Sequence, residues 1–251
     1  AQAPIDPTPT GAISAPPLSA GDAFAAIESL AAQGEASAQY EIGARLIEGR
    51  GVARDAKAAA QWFEKSAGQG VAPAQYRIGS MYEKGVGVER DYARARKWYR
   101  LAAEAGNARA MHNLAVLLAE GGEDKPDYAG AAEWFRKAAE FGVRDSQFNL
   151  AILYARGLGV SQDLKQAYVW LSAAADQGDE DAAKKRDEIG ARLDSKELAA
   201  ARALAGAFRP REPSREANEA PTLKSGGETI REPAFVKPAP KPGSKPKFSQ
   251  L

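Results

Sequence analysis

The sequence has no cysteine. Disulfides, thiolate nucleophiles and thiolate–metal sites are therefore excluded, and the compartment is left open. It has one histidine, His112, so neither a two-histidine metal site nor a second histidine-dependent centre can form. Neither sign of charge is in excess, with 34 basic and 33 acidic side chains and a formal net charge of +1. Nothing in that balance attracts nucleic acid or an anionic membrane. No apolar run approaches the ~18 residues that a membrane helix needs. β-Branched residues are scarce and alanine is abundant, which favours helix over strand. Proline is nearly absent from the middle: of 15, only Pro73 and Pro126 fall between residues 20 and 208.

Both ends are different. Residues 1–19 hold five prolines and residues 209–251 hold eight, with little apolar periodicity. Both are expected to be disordered arms, since they offer too little apolar surface to offset the entropy of ordering. Within the second, Lys237-Pro238, Lys241-Pro242 and Lys245-Pro246 predict an extended, basic, polyproline-like spacer. The first residue is Ala1, compatible with a removed leader or with a piece of a longer protein.

The middle repeats with a period of 36. Gly34, Gly70, Gly106, Gly142 and Gly178 share one column. Trp62, Trp98, Trp134 and Trp170, all four tryptophans of the chain, share another. Ala59, Ala95, Ala131 and Ala167 form a third, Asp55, Asp91, Asp127 and Asp163 a fourth, and Gly49, Gly85, Gly121 and Gly157 a fifth. Four units follow, at 34–69, 70–105, 106–141 and 142–177, in a domain spanning 20–208. Each reads as two helices. In the second unit Ala74, Ile78, Gly79 and Tyr82 lie on one helical face, Gly85 is placed as a left-handed stop, and Asp91 as the cap of the next helix. That next helix carries Ala95, Trp98, Tyr99, Ala102 and Ala103 on one face, so the tryptophan column is assigned to the core. Residues 22–33, 179–193 and 195–208 predict degenerate capping helices, with Lys184 where the units carry an aromatic ring and Ser195 as a cap.

Signals that mimic chemistry have simpler readings. Gly49–Val52, Gly85–Val88 and Gly157–Val160 are Gly-x-Gly-Val turns that lack the strand, the third glycine or the Gly-Lys-Ser/Thr that a phosphate loop needs. The once-per-unit aspartates are caps, and no pair of carboxylates stands out as an acid and a base.

Ala-x-Tyr-x-Ile-Gly in the first two units, then Gly-x-Gly-Val, Asp, Ala, Trp-Phe/Tyr, Ala-Ala and Gly resemble the Sel1-like repeat, a relative of the tetratricopeptide repeat. The resemblance implies an all-α, right-handed α/α superhelical solenoid, non-catalytic, without cofactor, that serves as a scaffold or adaptor for a protein or peptide partner. The third unit departs, with Gly121-Gly122-Glu123-Asp124 in place of Gly-x-Gly-Val, so a different turn is expected there. By the tetratricopeptide analogy the first helices line a concave face. Its candidate partner-binding residues are Tyr76, Arg77, Arg109, His112, Asn113, Val116, Phe148, Asn149, Ile152 and Arg156.

The run from Gly142 to Gly157, followed by Gly178 to Asp187, is similar to the repeat region of alphaproteobacterial polar-localisation factors of the PodJ type. That resemblance implies a periplasmic location and a role in a polar organiser. Two rivals come from other classes: a glycan-binding module on cell-wall peptidoglycan, through the groove or the Lys-Pro tail, and a hydrolase of the Sel1-like type. The hydrolases for comparison are Cys-rich; this chain has no cysteine, and its repeats have no Ser-x-x-Lys.

Overall fold

A computed structural model of the chain describes residues 20–121, 125–225 and 228–229. The expected arm 1–19 and the Lys-Pro segment lie outside the described residues. Helix α1 spans Ala20–Ala32. The four units follow as pairs: α2 Ala36–Glu48 with α3 Ala56–Gly68, α4 Ala72–Lys84 with α5 Tyr92–Glu104, α6 Ala108–Glu120 with α7 Tyr128–Glu140, and α8 Arg144–Arg156 with α9 Leu164–Ala175. Then come α10 Glu180–Gly190, α11 Ser195–Ala207 and the single turn α12 Arg215–Asn218. Two-residue strands β1 Lys224–Ser225 and β2 Glu228–Thr229 pair antiparallel at the end. From α1 to α10 each helix packs on the one before and the one after it, and α11 packs back on α9, which is the contact pattern of a solenoid.

The column residues set the helix boundaries. Asp55, Asp91, Asp127 and Asp163 each accept a hydrogen bond from the backbone N–H three residues on, satisfying a donor that the helix start leaves open. Gly49, Gly85, Gly121 and Gly157 end the first helices with φ between 67° and 77°, and each donates its N–H to the carbonyl four residues back. Gly121 differs from the other three in ψ, at −27° against 32° to 38°, as the changed turn of the third unit leads one to expect. The second glycine of the Gly-x-Gly turn has a packing reason. A Cβ on Gly87 would stand 2.1 Å from the Ala56 carbonyl oxygen, and one on Gly159 2.2 Å from the Tyr128 carbonyl carbon. The turn of each of these units rests on the start of the preceding second helix.

Inside each of the first three units the core is a ring in a slot. Phe63, Tyr99 and Phe135 are almost fully buried, and each meets the residue at the sixth position of its own unit: Tyr40–Phe63 at 5.5 Å, Tyr76–Tyr99 at 5.9 Å, His112–Phe135 at 5.8 Å. The other side of the slot is a glycine in the first two units. A Cβ on Gly79 would lie 2.9 Å from the Tyr99 ring, and one on Gly43 3.0 Å from Phe63. The residue before each of these rings is the tryptophan. Trp62, Trp98 and Trp134 are only half-buried, contrary to their assignment to the core; Trp170 alone is buried, and it meets Phe208 at 5.2 Å. The correction follows from helix geometry: adjacent positions lie 100° apart, so Trp and the ring after it cannot both enter the slot.

Between units, a buried glutamine on the first helix reaches the end of the preceding second helix. Gln39, Gln75 and Gln147 donate Nε2 to the carbonyls of Ala31, Ala67 and Ala139 at 3.1–3.2 Å. At the C-terminal end, α11 is capped by Asp194 rather than Ser195, in a reciprocal box with Glu197. Lys184 is exposed, as suits a terminal helix with no further unit to cover.

The largest departure from expectation is residues 209–223. They do not form a free arm but run back along the edge where second helices turn into first helices. The Arg211 N–H donates to the Glu140 carbonyl at 2.8 Å, beside Gly142. One unit back, Asn107 donates Nδ2 to the Ala217 carbonyl at 2.5 Å. Asn218 accepts from the Ala108 N–H at 2.9 Å and donates to the Gly106 carbonyl at 3.0 Å. Leu223 is then buried with Ile27, Ala31, Ala38 and Ile42 at the other end of the array. Composition hides this strap because few side chains anchor it and its remaining bonds come from backbone and Asn218. We expect limited proteolysis to leave a fragment ending near residue 225 rather than at 208. Truncation after Phe208 should cost about 2–4 kcal/mol in urea unfolding, from the lost burial of Leu223 and the lost bonds at Asn107 and Asn218. An unchanged unfolding midpoint would mean that the strap is not docked.

Candidate functional site

Side chains join the first helices of neighbouring units at two junctions, α2 with α4 and α6 with α8. Arg77 on α4 hydrogen-bonds Tyr40 on α2, and His112 on α6 meets Ser146 on α8 at 2.8 Å between Nδ1 and Oγ. On α2, Glu41 pairs with Arg45 at 2.8 Å and with Arg50 at 3.1 Å, and Glu48 pairs with Arg50 at 2.8 Å. Burial works against the charge of Arg77, but Tyr40 and Glu48 more than offset it and hold its pKa above the ordinary value. Arg77 is thus a fixed cation at the junction of the first two units.

The predicted site residues divide into two groups. Arg109 and Arg156 are exposed, and Tyr76, Arg77, Asn113 and Val116 are half-buried with surface to offer. Phe148, Asn149 and Ile152 are buried and contribute nothing to an open face. Phe148 and Ile152 are apolar at positions filled elsewhere by His112 and Val116 or by Tyr76 and Ser80, and they turn into the core, where burial is favourable.

The unpartnered amide of Asn149 follows from a break in the period. Its counterpart Asn113 donates Nδ2 to the Tyr99 hydroxyl at 2.9 Å. The residue 36 positions after Tyr99 is Phe135, which has no hydroxyl, and the Asn149 Nδ2 is left without a partner. Sequence reasoning missed that Tyr99 is a hub. It also donates to Glu83 at 2.5 Å, and burial together with the Glu83 carboxylate pushes its pKa up, so it stays a neutral phenol.

His112 occupies the ring column, as expected, and is half-buried. Burial lowers its pKa, with Asp145 opposing, so the neutral form is favoured in the folded chain. A serine within hydrogen-bond reach of a histidine has the spacing of a nucleophile and its base. Here Ser146 is fully buried inside α8, where no substrate reaches it. Among the described residues no cluster of three or more His, Asp or Glu could hold a metal ion, and no helix is long and apolar enough to cross a membrane. The cleft between α3 and the α4–α5 turn, about 600 Å³, is lined in part by groups paired with one another: Tyr82 donates to Glu64 at 2.6 Å and accepts from Arg94 at 3.0 Å.

Four near-identical helix pairs, rigid and joined in one continuous line, define a helical-repeat scaffold that displays side chains. A family model described as the Sel1 repeat matches residues 36–71, 72–107, 108–142 and 144–179, together more than half of the chain. The chain belongs to the Sel1 repeat family, whose members serve generally as protein-interaction modules and are generally non-catalytic.

Among solved structures it is similar to c5321, a protective antigen of uropathogenic Escherichia coli strains, with 34% identity and a TM-score of 0.64 over 74% of this chain and 41% of that one. It is similar also to a Sel1 repeat protein from Oxalobacter formigenes, with 31% identity and a TM-score of 0.62 over 75% of this chain and 81% of that one. The chain thus spans well under half the length of c5321. No curated protein matches it. Neither solved relative is described as a polar-localisation factor, so the resemblance to the PodJ type is unsupported by these comparisons.

The lowered pKa of His112 has a consequence for stability. The unfolded chain binds the proton more readily than the folded one, so stability is present above the ordinary histidine value near 6.5 and declines as pH falls through it. His112→Phe, which places the ring of Phe148 in the same column, should remove that part of the decline between roughly pH 7 and 5. The check is the urea midpoint against pH. Identical slopes for the two proteins would show that His112 is freely solvated.

Proposed function

We propose that the surface formed by the first helices α4, α6 and α8 binds an extended segment of a protein partner, and that the chain acts as a scaffold or adaptor. The observation that carries this reading is the pairing of exposed and fixed groups on successive units. Arg77, Arg109 and Arg156 offer cations that suit carboxylates, Asn113 offers an amide edge, and Tyr76 and Val116 offer partly open apolar surface. A repeated scaffold adds such contacts along one line. The members differ from unit to unit, which is how an otherwise periodic surface acquires selectivity. The resemblance of residues 142–157 and 178–187 to periplasmic repeat regions supports the bacterial periplasm as the place of action and a polar organiser as the setting. Peptidoglycan is the rival ligand for the same face.

The test is capture of partners from a bacterial envelope extract by wild type and by the double variant Arg109→Glu, Arg156→Glu. Both residues are exposed, so circular dichroism should show an unchanged fold. We expect at least a tenfold loss of the captured protein partners. Undiminished capture would exclude this face, and co-sedimentation with purified peptidoglycan in place of protein capture would favour the glycan reading.

A further inference from the structure

The half-buried tryptophans are not equivalent. In the first and third units the residue one turn on is a lysine, and its ammonium lies over the indole: Lys65 at 4.1 Å from the Trp62 ring centre and Lys137 at 4.0 Å from that of Trp134. In the fourth unit Trp170 is covered by Phe208. In the second unit the lysine is replaced by Leu101, which is 38% exposed, one of three large apolar side chains so exposed among the described residues. Positions three apart share a helix face, so Leu101 and Trp98 form one apolar step on the outside of α5.

The charge around that step is also singular. Helix α5 carries Arg94, Arg96, Lys97 and Arg100 against one carboxylate, Glu104. Its counterpart α7 balances Arg136 and Lys137 with Glu133 and Glu140. Arg94 is engaged with Asp91 and with the Tyr82 hydroxyl. Lys97 and Arg100 are exposed, and neither has a carboxylate partner among the described residues. Lys97 stands 5.9 Å from the Trp98 ring centre, too far out to cover it as Lys65 and Lys137 cover theirs.

We propose that the outer face of α5 is a second docking surface, for an acidic protein segment that carries a leucine-sized apolar side chain between carboxylates. The apolar side chain seats on Trp98 and Leu101, and the carboxylates meet Lys97 and Arg100. An apolar anchor ringed by cations is the arrangement of a small interaction hot spot. A nucleic-acid backbone calls for a track of cations instead, and here two unpaired cations flank an apolar step. This surface lies on the second helix of its unit, apart from the first-helix face, so the two proposals fail or survive separately.

The probe is a fluorescein-labelled synthetic peptide alternating Glu and Leu, titrated with the full chain and followed by anisotropy. A Glu-Ser peptide and a single-stranded oligodeoxynucleotide serve as comparators. Leu101→Lys restores the residue found in the first and third units and keeps a good helix former, so the fold should hold. We expect it to weaken binding of the Glu-Leu peptide at least fivefold. Lys97→Glu with Arg100→Glu should weaken it at least tenfold, while Arg109→Glu with Arg156→Glu leaves it within twofold. The proposal is overturned if wild type does not bind the peptide or if Leu101→Lys binds as well as wild type. It is overturned equally if the Glu-Ser peptide or the oligonucleotide binds as tightly as the Glu-Leu peptide.

Discussion

One contact, made in each unit, governs this molecule: the side chain that follows the tryptophan, a ring in the first three units and Leu171 in the fourth, lodged against a small residue of its own unit's first helix. Where the slot is narrowest the small residue has no side chain at all, since a Cβ on Gly79 would come within 2.9 Å of Tyr99. In the third and fourth units the same column holds Ala115 and Ala151, both fully buried, and the slot takes Phe135 and Leu171. This close approach sets the spacing within a pair. The spacing in turn puts Gln39, Gln75 and Gln147 within reach of the preceding unit's last carbonyls. Phe63, Tyr99, Phe135 and Leu171 hold the units together, and glutamines tie three of them to the helix before, Met111 standing in that column in the third. Both are needed, because a helix pair alone buries too little to be stable.

Departures from the period account for the irregular features. Gln69 and Gln177 donate to the Oε1 atoms of Gln39 and Gln147 at 2.8 Å. In the same column the residue before Gly106 is Ala105, and Gln75 Oε1 is accordingly left unpartnered. Phe135 in place of a tyrosine does the same to Asn149. Each such atom costs about 1–3 kcal/mol, which an array tolerates because stability is summed over neighbouring interfaces. The strap exploits another departure. Asn107 is the one asparagine among the residues that start the first helices, where Glu35, Val71 and Val143 stand in the other units, and it is there that Ala217 and Asn218 dock. The proposed surface on α5 arises in the same way, from Leu101 in a column shared with Lys65 and Lys137.

The period, the helix pairs, the aspartate caps and the glycine stops were legible because each is a local rule repeated four times. Two things were not. Which of two adjacent aromatics enters the core cannot be read from their periodicity; it depends on the rotation of α5 relative to α4, and that is set by the Gly79–Tyr99 approach. The docking of residues 209–223 is likewise carried mainly by backbone groups, Asn218 and the lone buried Leu223, and a composition rich in proline and charge conceals it. Of the residues assigned to the first-helix face, Arg109 and Arg156 are exposed, whereas Phe148, Asn149 and Ile152 are buried, because an analogy of position takes no account of which side chains prefer water.

The most direct measurement of this account compares urea unfolding of Trp98→Ala and Tyr99→Ala. Tyr99 is fully buried in the slot and bonded to Glu83 and Asn113, whereas Trp98 is half-buried on the flank of α5. Loss of Tyr99 should cost about 3–5 kcal/mol, as large-to-small changes in a core do, and loss of Trp98 less than about half of that. If Trp98→Ala proves as destabilising as Tyr99→Ala, the ring in the slot is not what holds the units together, and the central claim is wrong.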